Sequence, residues 1–174
     1  MTEESAGSGD EVDSLVEAWR RERPDLDVAP LEVLSRVSRL ARHLDLARRE
    51  AFAAHDLEPS EFDVLAALRR AGHPYALSPG RLLQVTLVTS GTMTNRIDRL
   101  VTKELVERVP DPHDGRSVQV VLTDLGRTRV DDALTDLLAQ ERAILSALPA
   151  TDRGRLAELL RRLTSPFDNA GGVA

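Results

Sequence analysis

Between Ser78 and Leu122 the chain carries, in order, a capped helix, a short turn, a second capped helix and two β-branched runs, an arrangement few folds accommodate. Ser78-Pro79 reads as a cap and first-turn proline, opening a helix that continues to about Gln84. Thr89 caps another, running from Ser90 to about Glu104. In this second helix Met93, Ile97, Leu100 and Val101 form an inward stripe. Ser90, Thr92, Asn95, Arg96 and Arg99 are left on or near the opposite side. The runs Val106 to Val109 and Val118 to Leu122 follow as strands. Between them Pro110-Asp111-Pro112-His113-Asp114-Gly115-Arg116 supplies turn formers, which predicts a hairpin with a long tip.

The flanks are helical. Residues 1–10 are Gly, Ser and acid without periodicity and read as a disordered acidic tail. Val12, Leu15, Val16 and Trp19 make an amphipathic stripe for an extra N-terminal helix over 11–23, which Pro24 ends. Leu34, Val37, Ala41, Leu44, Ala47 and Ala51 recur at helical spacing and predict a long helix within 31–58. Ser60 with Asp63 reads as the start of a short helix whose buried face is Phe62, Leu65, Ala66 and Leu68, ending near Gly72-His73-Pro74. Thr123 caps a long helix bearing Leu125, Val130, Leu134, Leu137 and Leu138, and Thr151-Asp152 begins a last one. The expected organisation is a lobe over 59–124 followed by C-terminal helices over 125–168. With five aromatics in 174 residues, the core must be mostly Leu, Val and Ala, as in helical proteins. The fold class is mainly α with a small β-hairpin.

Composition narrows the function classes. The absence of cysteine removes disulfide scaffolds, thiol nucleophiles and cysteine metal sites. No apolar run approaches the roughly 18 residues of a membrane span, and no charged-then-apolar leader opens the chain, so a cytoplasmic location without membrane association is expected. The formal charge of −6 is concentrated at the start: residues 1–13 carry five acids and no base, which leaves the rest at −1. Of the 23 basic residues only Lys103 is lysine; the arginines supply planar forks suited to phosphate and guanine.

Helix, turn, helix and ribbon form the winged helix-turn-helix plan, in which a capped helix fits the major groove while the ribbon tip reaches a neighbouring minor groove. Thr89, Ser90 and Thr92 sit where hydroxyls and helix N–H groups meet phosphates, and Asn95, Arg96 and Arg99 can reach base edges. Arg116 on the tip suits a narrow minor groove. Taken singly, the hydroxyls are plain caps and the arginines a solvated face. The ordered set singles out DNA. Two other classes compete: an enzyme, for which His43, His55, His73 and His113 lie in no metal spacing and no nucleophile motif occurs, and a helical interaction module, which leaves the ribbon unexplained.

The run Leu87-Val88-Thr89-Ser90-Gly91-Thr92-Met93-Thr94-Asn95-Arg96-Ile97-Asp98-Arg99-Leu100, then Leu105-Val106-Glu107-Arg108, Asp111-Pro112-His113-Asp114-Gly115-Arg116 and Val121-Leu122-Thr123, closely resembles the MarR family of bacterial transcriptional regulators. The resemblance covers about residues 31–165. It implies a homodimer formed by the first and last helices and a near-palindromic double-stranded DNA operator, and no cofactor is expected. One departure is Glu104, where the family commonly has a helix-ending glycine; a left-handed residue there costs glutamate more.

The extra helix with Trp19, followed by Phe62-Asp63-Val64-Leu65-Ala66-Ala67-Leu68-Arg69-Arg70-Ala71-Gly72, is similar to the urate-responsive branch of that family. The resemblance implies that Trp19, Asp63 and Arg70 bind a small anionic ligand, and that Arg96 and Arg108 couple it to the DNA-reading elements. The chemistry fits independently, since an oxidised purine such as urate or xanthine is a flat anion that a guanidinium grips and an indole covers. Asp63 and Arg70 share a helix face about 10.5 Å apart along the axis, too far for a direct ion pair. An anion near Asp63 would be repelled and could push its helix. Trp19 as a core anchor and Asp63 as a first-turn acid remain the simpler alternatives, and a phenolic ligand stays open.

Overall fold

The computed structural model describes residues 9–86, 90–111 and 117–170, and the chain divides into two units, 1–48 and 49–174. The boundary between these units falls within a long helix, α2 (Ala29–Ala53).

The first unit is built on α1 (Glu11–Glu22) and most of α2. Residues 1–8 of the expected tail lie outside the described residues. Asp10, read as part of that tail, is instead the N-cap of α1, accepting from the Val12 and Asp13 N–H groups, while Asp13 accepts from the Asp10 N–H. This reciprocal pair satisfies donors that a helix start would otherwise leave orphaned. Val12 and Val16 bury against Val28 and Leu31. Arg36 donates to Asp10 (2.9 Å) and Asp13 (2.7 Å) together, fastening the α1 start to α2. Its guanidinium holds both carboxyls below their usual range. Arg20 pairs with Glu32, and Arg39 with Glu11.

The second unit contains α3 (Pro59–Arg70), β1 (Ala76–Leu77), α4 (Pro79–Thr86), α5 (Ser90–Thr102), β2 (Val106–Pro110), β3 (Val118–Leu122), α6 (Asp124–Leu145) and α7 (Ala150–Ala170). Its core joins Phe52 at the end of α2 to Leu65 and Leu68 of α3, Leu82 of α4, Met93, Ile97 and Leu100 of α5, Val120 of β3 and Val130 of α6. Phe52 and Phe62 stack with ring centroids 4.0 Å apart. Each fully buried side chain of this size contributes about 1.5–3 kcal/mol.

Four local expectations change. The ribbon is a three-stranded antiparallel sheet in the order β1-β3-β2, because Ala76 pairs with Val121 and Leu77 with Val120. A two-residue strand is too short to show a period. Helix α3 starts at Pro59 and not with Ser60 as its cap; the proline presets the first turn, and the Glu58 N–H donates to Glu61 Oε2 (3.0 Å). Helix α7 starts at Ala150, ahead of the expected Thr151-Asp152 cap, with the Pro149 carbonyl accepting from the Asp152 and Arg153 N–H groups. Helix α5 ends at Thr102, short of Glu104.

Glu104 has φ +58° and closes α5 as glycine usually does. Its N–H donates to the Val101 carbonyl (2.9 Å) and the Leu105 N–H to the Leu100 carbonyl (3.0 Å), the paired bonds of a Schellman motif. The Thr123 hydroxyl donates to the Glu104 carbonyl (2.8 Å) and accepts from the Gly126 N–H (2.9 Å), so one threonine joins the end of α5 to the start of α6. A Cβ on Gly126 would lie 2.0 Å from the Leu105 carbonyl oxygen. Among the described residues, no helix is long and apolar enough to cross a membrane.

Candidate nucleic-acid interface

Helix α5 buries Met93, Ile97 and Leu100, which are at most 1% exposed, and this fixes its rotation about its own axis. The rotation turns Thr92, Asn95 and Arg99 to solvent and leaves Arg96 half-buried. With Ser60 and Asp98 these four residues line an open groove of about 570 Å³. Ser90 is the first residue of α5. Thr89 and Arg116 lie outside the described residues, so the groove is built from the middle of the expected reading surface. The preceding α4 is capped as the sequence predicts, with Ser78 Oγ accepting from the Arg81 N–H (3.3 Å).

Two arginines, Arg96 and Arg99, and one acid, Asp98, are among the residues that line the groove. Arg99 stands 3.3 Å from the Glu61 carboxylate, through its Nε and Glu61 Oε1. Arg108, on β2, donates to Asp98 on α5 (2.7 Å) and so ties the sheet to the helix. An arrangement of hydroxyl, amide and guanidinium groups along one exposed helix face can hydrogen-bond phosphates and base edges together. Three contributors escaped the sequence reading: Ser60, taken for a cap; Asp98, the partner of Arg108; and Glu61. Arg99 in the last turn of α5 and Lys103 just past its end, four residues on, were the available signal for Glu61.

The remaining residues singled out from sequence are placed as follows. Trp19 on α1 is 47% exposed, so it is no core anchor; Val12 and Val16 fill that role. On α3, Asp63 is half-buried and Arg70 exposed. Neighbouring Arg69 is committed to α6 through Asp131 (2.9 Å) and lies over the Tyr75 ring. His55 pairs with Asp136 (2.7 Å) and His73 meets Tyr75 edge-on, while His113 lies outside the described residues. Among the described residues, no group of three or more His, Asp or Glu could hold a metal.

Residues 55–117, which span the helix-turn-helix and two of the three strands, β1 and β2, match the model of the MarR family. The chain is 39% identical over 159 residues to the HTH-type transcriptional regulator PecS of Dickeya dadantii, covering 91% of this chain and 96% of that protein. It is 30% identical over 150 residues to the HTH-type transcriptional repressor NicR of Pseudomonas putida, covering 84% and 93%. A solved structure of an Escherichia coli MarR mutant complexed with operator DNA superposes with a TM-score of 0.63 at 30% identity, covering 78% of this chain and 94% of that one. These relatives are named as regulators and not as enzymes. A mainly helical winged helix-turn-helix with this likeness over nearly its whole length belongs to the MarR family of transcriptional regulators.

Proposed function

We propose that the chain is a homodimeric repressor that binds a pseudo-palindromic operator and releases it on binding a small anionic ligand. The observation that carries the DNA reading is the solvent-facing row of Thr92, Asn95 and Arg99, with half-buried Arg96 beside it, on a helix whose other face is locked into the core. Likeness to an operator-bound MarR and to a relative named as a repressor supports it. Thr89 and Ser90 at the start of α5 serve as phosphate contacts and Arg116, between β2 and β3, as the minor-groove contact. The pI of about 5.3 is compatible with this, since placed charges set local contacts.

A second copy is the occupant we assign to the apolar rows left exposed on α2, α6 and α7, among them Leu34, Leu134, Leu138, Leu159 and Leu163. The operator half-sites then lie about one helical turn apart. Trp19 with its exposed indole, Arg70 with its exposed guanidinium and the Asp63 carboxylate are the ligand residues we assign, and Arg96 and Arg108 the coupling residues. Arg108 already joins β2 to α5, which supports a role in transmitting a shift to the reading helix.

The test is operator binding followed by anisotropy. Arg99→Ala should cost about 1–3 kcal/mol, and Arg116→Ala should weaken binding as well. Urate or xanthine should lower affinity some 5- to 150-fold at saturation, and Arg70→Ala should abolish that response while sparing DNA binding. Unchanged affinity in both DNA variants refutes the interface; no response to either purine at millimolar concentration refutes the ligand alone.

A further inference from the structure

One charge in the core is not accounted for by the groove. Glu61 is 1% exposed, and it is the one charged residue among the described residues to be so buried. A carboxylate in that position is stable only when paired and hydrogen-bonded. Its partners come from two helices. The Glu58 N–H, at the start of α3, donates to Oε2 (3.0 Å); Lys103 Nζ, at the end of α5, donates to the same oxygen (3.0 Å); Arg99 Nε faces Oε1 at 3.3 Å. Lys103 also donates to the Asp56 carbonyl (2.7 Å) and lies 3.5 Å from the Asp56 carboxylate. In a chain whose other cationic side chains of this kind are all arginine, the only lysine stands where a compact ammonium meets acceptors from different directions.

We propose that Glu61 is the positioning residue for base reading by α5. Its buried carboxylate forms an ion pair with Arg99 from the Nε side at 3.3 Å, which leaves the two terminal nitrogens to act as the end-on fork for the groove. Lys103 shares the carboxylate and keeps it from drawing the guanidinium further inward. A fork fixed in this way matches the O6 and N7 acceptors of one guanine in the major groove. The inference rests on the operator-binding reading of α5, and it adds the residue that sets the aim and the base that is read.

The experiment uses the full chain and a duplex that the wild-type protein has selected from random sequence. Binding is measured at fixed salt for that duplex, for versions in which each G·C pair of a half-site is replaced in turn, and for a random duplex. Glu61→Gln should lower affinity for the selected duplex about tenfold and flatten the preference at one G·C pair, leaving random-duplex affinity within about twofold. In an Arg99→Ala background the same substitution should add less than about twofold, because the two act as one unit. Additive losses in the double variant, or an intact base preference in Glu61→Gln, overturn the proposal. Lys103→Gln gives an independent reading should Glu61→Gln fold poorly: with the carboxylate left to Arg99, the guanidinium is drawn in and the Arg99→Ala penalty should shrink. An unchanged penalty also overturns it. A wild-type chain that selects no duplex at all is a different result, which refutes operator binding itself.

Discussion

Replacing Glu104 with glycine should stabilise the protein, and the size of the gain can be worked from the backbone. Glu104 sits at φ +58°, where an L-residue costs roughly 1–2 kcal/mol because Cβ crowds the following carbonyl. Glycine removes that crowding but gives the unfolded chain more freedom, worth roughly 0.5–1 kcal/mol in the opposite direction. The three hydrogen bonds at this turn use the Glu104 and Leu105 N–H groups and the Glu104 carbonyl, so all survive the substitution. The exposed Glu104 side chain makes no ion pair among the described residues, so its loss forfeits little. The net expectation is a gain of about 0.5–1 kcal/mol, or about 1–4 °C in midpoint for a chain of this length. Urea unfolding at one fixed protein concentration should show a raised midpoint with an unchanged slope. Glu104→Ala is the control, because it removes the charge and keeps Cβ. A midpoint that stays put or falls for Glu104→Gly, or an equal rise for Glu104→Ala, refutes the backbone argument.

Gly126→Ala should act in the other direction and lower the urea midpoint by the equivalent of at least about 1–3 kcal/mol, since its Cβ would meet the Leu105 carbonyl at 2.0 Å; wild-type stability would show that α6 need not lie so close. Phe52→Ala removes a fully buried ring stacked on Phe62 and should cost about 3–5 kcal/mol in the same assay. Acid should loosen α1 from α2: the Arg36 guanidinium lowers the folded pKa of Asp10 and Asp13, so their contribution is fully present above the ordinary carboxylate pKa, near about 4, and is lost as pH falls through the folded values. Emission from Trp19, the chain's single tryptophan, reports the change, and Arg36→Gln should remove this acid step; a step of the same size in that variant would show that other groups cause it.

Much of the second unit is legible in the chain because its signals are local. The Ser78-Pro79 and Thr123 caps act within one turn, and the 3.6-residue period of Met93, Ile97 and Leu100 names the buried face of α5 without reference to any neighbour. By elimination the same period exposes Thr92, Asn95 and Arg99. What the sequence could not settle are matters that depend on a partner far along the chain. Strand β1 exists only because Ala76 and Leu77 meet β3, more than forty residues on. Glu61 reads as one more surface acid in a helix-starting segment, and becomes a buried junction only when α3 and α5 pack and bring Lys103 and Arg99 to it. Gly126 looks like a weak point in a helix until the Leu105 carbonyl is seen against it. Glu104 is the clearest division between the two levels: its identity argues against a left-handed turn, yet burial of Leu100 and Leu105 on either side of the turn, and the Thr123 hydroxyl on its carbonyl, outweigh a local preference of about 1 kcal/mol. Periodicity and capping are properties of a segment and can be read from it; burial of a charge, close approach of two backbones and strain held in place by packing belong to pairs of segments, which only the folded chain brings together.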